Sequence, residues 1–238
     1  MENYIHFLNR TNAFETEKLQ LDDRQFVPRD SLKSKVNPDN TFRNFYGDTV
    51  VFKLPTEVMW RTSSLIDALY KEAPECFAKR LPDESLHITL HDLVSSENVD
   101  DVQADMNQNA KVMSAIRFCK MIPHRAIRVR ATYIINMINT SLVLAIQPSS
   151  KLDYQHIMKL YSIFDDVIKL PYRFTPHITL AYYNVNGFGA ESIKNLTWIV
   201  NKLNQGQSGF EFFVDTKNLF YQSFLSMEEY IDVLCFGK

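Results

Sequence analysis

Glycine is scarce, with six in 238 residues, and none falls in a Gly-x-Gly-x-x-Gly or Walker-type run. Cradling of a nucleotide by a glycine-rich loop is therefore excluded, and any phosphate has to be held by side chains. Cysteine is scarcer still. Cys76, Cys119 and Cys235 are odd in number, far apart and without Cys-x-x-Cys spacing, so neither a disulfide framework nor a zinc knuckle is suggested. The opening Met1-Glu2-Asn3-Tyr4 has no cationic segment leading into an apolar stretch, and with the free thiols this points to a cytoplasmic protein. Excess charge is lacking too: 26 Lys and Arg against 28 Asp and Glu leave a net charge of -2. That balance argues against a protein gripping long nucleic acid by bulk electrostatics, while a small charged ligand remains open. One long uncharged run exists, 131–150, but Asn136, Asn139, Thr140 and Ser141 interrupt it, so a β-hairpin explains it better than a membrane span. No membrane partner is expected.

What is present is an ordinary globular composition, 45% hydrophobic and 23% charged, long enough for one large domain or two small ones. Residues 1–46 mix seven basic with seven acidic residues around the turn-prone Asn37-Pro38-Asp39-Asn40, and read as an extension packed over a domain or partly disordered. From Gly47 the pattern becomes periodic. A β-branched strand over 48–54 leads to a helix carrying Val58, Leu65, Ile66 and Leu69, and then to a short strand over 86–93. One helix is expected over 98–118 from the spacing of Val99, Val102, Met106, Met113 and Ile116. A hairpin over 127–137 and 142–147 follows. Ser149 or Ser150 then caps a helix with Leu152, Ile157, Leu160, Tyr161 and Phe164 on its buried face. A strand over 176–183, a helix ending at Gly206 and three last strands complete the chain. The order strand, helix, strand, helix, strand thus occurs twice. We expect an α+β fold of two pseudo-symmetric, intertwined lobes, roughly 47–135 and 136–238, each an antiparallel sheet with outer helices, around a central cleft.

The repeat carries a chemical signature. Leu86-His87-Ile88-Thr89-Leu90 and Pro176-His177-Ile178-Thr179-Leu180 share His-Ile-Thr-Leu at the same place in each half. In a strand, alternate side chains share a face, so each imidazole lies about 6.6 Å along the chain from a hydroxyl, while Ile and Leu face the core. A single His-x-Thr is ordinarily structural; two copies in matching contexts reverse that weighting. Two such strands brought together would surround one phosphodiester. A neutral imidazole can take a proton from water or a ribose hydroxyl, the other, protonated, can give one to the departing oxygen, and both hydroxyls can bond non-bridging oxygens. A positioned acid and base together supply on the order of 5 to 11 kcal/mol of barrier lowering, which suits a strained 2′,3′-cyclic phosphate better than an unactivated diester. Asp165-Asp166 has nothing beside it to complete a metal site, and no cofactor or metal is expected.

The twin His-x-Thr pattern, the run Phe174-Thr175-Pro176-His177-Ile178-Thr179-Leu180-Ala181 and the duplicated lobes resemble the 2H phosphoesterase superfamily, which includes LigT-like RNA ligases, cyclic phosphodiesterases and RNA-trimming exonucleases. The stretch Phe45-Tyr46-Gly47-Asp48-Thr49-Val50, followed by Leu81-Pro82, is similar to a microbial branch with an N-terminal extension. The resemblance covers about residue 45 to the end. It implies a phosphodiesterase of nucleotide or short RNA-like substrates, with His87 and His177 as catalytic pair and Thr89 and Thr179 as phosphate donors. It further implies His87 as proton donor and His177 as acceptor, roles that other branches invert. Tyr182 stands where LigT-like members often place Arg, which speaks against RNA-ligase-like substrate binding. His91 could line the cavity, perturb His87 or sit at the surface; Arg173 could supply phosphate charge or form a surface ion pair; Tyr182 and Tyr46 are candidates for stacking a base. A monomer is expected. The competing function is a nucleotide-binding module of the same fold that cleaves nothing.

Overall fold

A computed structural model of the chain describes residues 2–17, 19–105, 109–206 and 208–237. The N-terminal segment forms α1 (Tyr4–Asn12), α2 (Phe14–Glu17) and β1 (Gln25–Phe26), then a 3₁₀ turn at Asp30–Ser34. β2 (Tyr46–Lys53) follows, and Pro55, whose fixed φ is compatible with a helix entry, leads into α3 (Thr56–Glu72). Next come β3 (His87–Ser96), α4 (Val99–Asp105) and α5 (Asn109–Lys120). The single helix expected over 98–118 is thus two, and Met106 lies outside the described residues. The uncharged run is the hairpin of β4 (Ala126–Met137) and β5 (Ser141–Pro148), every β5 residue being buried. α6 (Lys151–Asp165) starts at Ser150, whose side chain accepts a hydrogen bond from the Asp153 amide. Its Ile157, Leu160, Tyr161 and Phe164 are buried as expected, whereas Leu152 is exposed. β6 (His177–Tyr182), β7 (Phe188–Gly189), α7 (Ala190–Gly206), β8 (Phe210–Asp215), β9 (Leu219–Phe224) and β10 (Tyr230–Cys235) complete the order. Among the described residues no helix is long and apolar enough to cross a membrane.

The strands form two four-stranded antiparallel sheets, ordered β10-β9-β2-β3 and β6-β5-β4-β8, and a small β1-β7 pair. The fold is α+β with two sheets, as the repeat predicts. β4 joins β5 in the second sheet because the uncharged hairpin cannot be cut, and the last two strands return to flank β2 in the first. β3 and β6 are each the edge of their sheet, and they face one another. The helices cross over behind them: α6, which precedes β6, packs on β3, and α3, which precedes β3, packs on β6. Each motif strand is therefore backed by the helix of the opposite half.

The N-terminal segment is part of this body. Phe7, Phe26, Leu32 and Val36 are buried in the same apolar core as both sheets. A tight loop, 35–43, is closed by the Val36–Phe42 bridge and by the Arg43 amide on the Lys35 carbonyl, 2.9 Å. Asn40, at a φ of 65°, ties its tip down by accepting from the Lys79 and Val185 amides.

Candidate active site

The two motif strands carry the same irregularity at the same place. In β3, Thr89 opposes Val51 and His91 opposes the adjoining Val50, so Leu90 is an inserted residue. In β6, Thr179 opposes Val143 and Ala181 opposes the adjoining Leu142, so Leu180 is inserted. Such a β-bulge reverses the phase of every later side chain. Before it, His87 with Thr89 and His177 with Thr179 face the cleft, while Ile88 and Ile178 are buried. After it, His91 and Ala181 join the core, and Asp92 and Tyr182 emerge into the cleft.

All four motif side chains line one cavity of about 380 Å³, within the range of small-ligand sites. The imidazoles are held alike. Nδ1 of His87 lies 2.7 Å from the Ser85 carbonyl, and Nδ1 of His177 lies 2.7 Å from the Thr175 carbonyl. A carbonyl only accepts, so in the neutral rings the proton sits on Nδ1 and Nε2 keeps a free lone pair. Neither Nε2 nor the Thr89 and Thr179 hydroxyls has a hydrogen-bond partner among the described residues. Burial pushes the His87 imidazole down to about 4 and the His177 imidazole below its ordinary value; the Asp92 carboxylate opposes both shifts.

Aromatic groups frame the rest of the cavity. The Tyr230 ring meets His87 edge-on at 4.8 Å, and Tyr182 donates to the Met227 sulfur at 3.0 Å. Tyr172 donates to Asp92 at 2.7 Å. Burial pushes the Tyr172, Tyr182 and Tyr230 hydroxyls above their ordinary pKa, so all three are neutral at physiological pH.

Three expected ligand contacts are not at this site. His91 is 1% exposed, set among Tyr161 and Phe164, with Nε2 3.8 Å from Asp165 and no hydrogen bond there. The bulge removes it from the face of His87. Arg173 has a side chain 71% exposed and pairs with Glu2 at 3.5 Å, outside the cleft. Residues 173–176 are not strand, so its spacing from His177 does not fix its face. Tyr46 lines a separate hollow with Arg43 and Glu97, at the far end of β2 from the imidazoles. Conversely, Asp92, Tyr172, Tyr230 and Lys35 lie in the cleft and went unnoticed in the sequence. The strand of Tyr230 shows no regular alternation, and the positions of the other three depend on the bulge, on a loop and on tertiary packing. Among the described residues no three His, Cys, Asp or Glu side chains cluster as a metal site would require.

This architecture, two antiparallel sheets with their motif strands edge to edge, is a LigT-like fold. The chain is similar in structure to a conserved protein of unknown function from Agrobacterium tumefaciens, with a TM-score of 0.68 at 17% identity, over 88% of this chain and 93% of that one. It is also similar to LigT of E. coli, solved with ATP, with a TM-score of 0.50 at 16% identity, over 80% of this chain and 96% of that one. No protein-family model and no curated protein matches the sequence.

Proposed function

We propose that the protein is a phosphoesterase that hydrolyses a nucleotide or RNA-like phosphodiester, with a 2′,3′-cyclic phosphate as the leading substrate. The observation that carries this reading is the pair of imidazoles on one cavity, each with Nδ1 tied to a carbonyl and Nε2 unpartnered, each beside an unpartnered threonine hydroxyl. A nucleotide as ligand class is in keeping with the ATP bound by E. coli LigT, whose fold this chain shares. In the reaction, one Nε2 takes a proton from water as the water oxygen bonds to phosphorus. The bond from phosphorus to one ribose oxygen breaks, and the other imidazole, protonated, gives its proton to that oxygen. Thr89 and Thr179 donate to the non-bridging oxygens, where negative charge gathers.

Burial depresses both imidazoles, so their shifts do not assign the acid and base roles. The superfamily resemblance implies His87 as the acid and His177 as the base, and leaving-group chemistry tests that order. A p-nitrophenyl phosphodiester needs no acid, so His87→Ala should recover much of its activity on that ester while His177→Ala does not. Recovery in His177→Ala instead would reverse the roles. The activity itself is tested with a panel of 2′,3′-cyclic nucleotides in the presence of chelator. Conversion to the ring-opened monophosphate is expected; tight binding without product would make the chain a binding module.

A further inference from the structure

We propose that Lys35, from the N-terminal segment, is the cationic anchor for the substrate's phosphate. The inference rests on the cleft being a phosphate-ester site, as proposed above, and adds the residue that lets an anion enter it. Lys35 is the one Lys or Arg among the described residues that line the cavity. Its other ionisable lining groups are Asp48, Asp92, tyrosines and the two imidazoles, and burial keeps those imidazoles neutral at pH 7. Without Lys35 the cavity would meet a phosphodiester anion with no positive charge and with the exposed Asp92 carboxylate against it.

Burial pulls the Lys35 ammonium below its ordinary value and the Asp92 carboxylate in the same cleft opposes that shift. Nζ lies 5.2 Å from the centre of the Phe45 ring and 5.9 Å from that of Tyr182, and among the described residues it forms no ion pair with a carboxylate. Aromatic faces hold a cation while leaving its donors free, whereas a carboxylate partner would consume them. The backbone that carries it is held as well. The Lys35 amide donates to the Leu32 carbonyl at 2.9 Å, its carbonyl accepts from Arg43, and its neighbours Leu32 and Val36 are buried. Phe42 meets the edge of Tyr182 at 5.7 Å, so the same loop that carries Lys35 also fixes the ring beneath it. Lys35 is close enough to oppose protonation of His177, which puts the charge beside the second motif.

Calorimetry of the full chain with adenosine 3′-monophosphate and with adenosine tests the inference. Lys35→Met should weaken the monophosphate at least about tenfold, leave adenosine unchanged and flatten the salt dependence, while Lys35→Arg stays near wild type. Lys35→Gln replaces the Met variant if the latter does not fold. Monophosphate binding by the neutral variant equal to wild type overturns the proposal. So does equal weakening of both ligands, which would mark a structural role. Lys35-dependent binding with no turnover of any cyclic nucleotide would end the enzymatic reading and leave this one standing.

Discussion

In the proposed reaction a proton has to be on one imidazole and off the other, so the surroundings of His87 and His177 would set its pH range. With His87 near 4 and His177 also below its usual value, both rings are neutral in the free protein at pH 7. The singly protonated form grows as pH falls, so kcat/KM should climb from about pH 8 toward about pH 6. It should drop only when the second ring also protonates, well below neutrality, with apparent values that belong to the pair. An optimum on the alkaline side would contradict this. Asp92 favours the protonated form of both rings; Asp92→Asn removes that help, and its profile should move to lower pH. Unchanged profiles would show that Asp92 acts elsewhere, for instance only through Tyr172. At this scale the sequence exposed His87, Thr89, His177 and Thr179 by repetition. It could not expose Asp92, because two-residue alternation assigns the cleft face to His91 and only the inserted Leu90 transfers it.

At the scale of elements, strand and helix positions were legible because apolar periodicity and turn residues agree with the tertiary core. β5, α6 and α7 fall within a few residues of where their patterns put them. The paired bulges were not, since nothing in Leu90 or Leu180 distinguishes an inserted residue from an ordinary buried one. Two local features have measurable weight. Ser150 caps α6, the helix that backs β3, and Ser150→Ala should cost about 1 kcal/mol in urea unfolding. Gly47 in β2 leaves no room: a Cβ there would collide with the Val94 carbonyl and the Phe224 ring, both bordering the cleft. Gly47→Ala should therefore destabilise by about 1–3 kcal/mol, and a neutral result would mean that β2 yields more easily than its packing implies.

For the whole molecule, the least legible feature was the role of residues 1–46. Their mixed charge and weak periodicity hide four core residues, Phe7, Phe26, Leu32 and Val36, because these are spread over separate short elements. The segment also braces the second motif: Arg10 donates to the Phe174 carbonyl and the Thr175 hydroxyl, at 2.8 Å each, and the Thr175 carbonyl holds His177. A chain beginning at Asn44 should accordingly lose cooperative thermal unfolding, as followed by near-ultraviolet circular dichroism. Retained cooperativity would show the segment to be dispensable packing. The exchange of strands between the sheets pairs β2 with β9, whose residues lie far apart in the chain. What the duplicated halves accomplish together is the convergence of two imidazoles. The most direct measurement is turnover of a 2′,3′-cyclic nucleotide by His87→Asn, His177→Asn and the double variant, with folding checked alongside. Each single change should lower kcat by at least about 100-fold, and the double variant should be scarcely slower than either, because the pair acts as a unit. Full activity in either folded single variant would contradict the account.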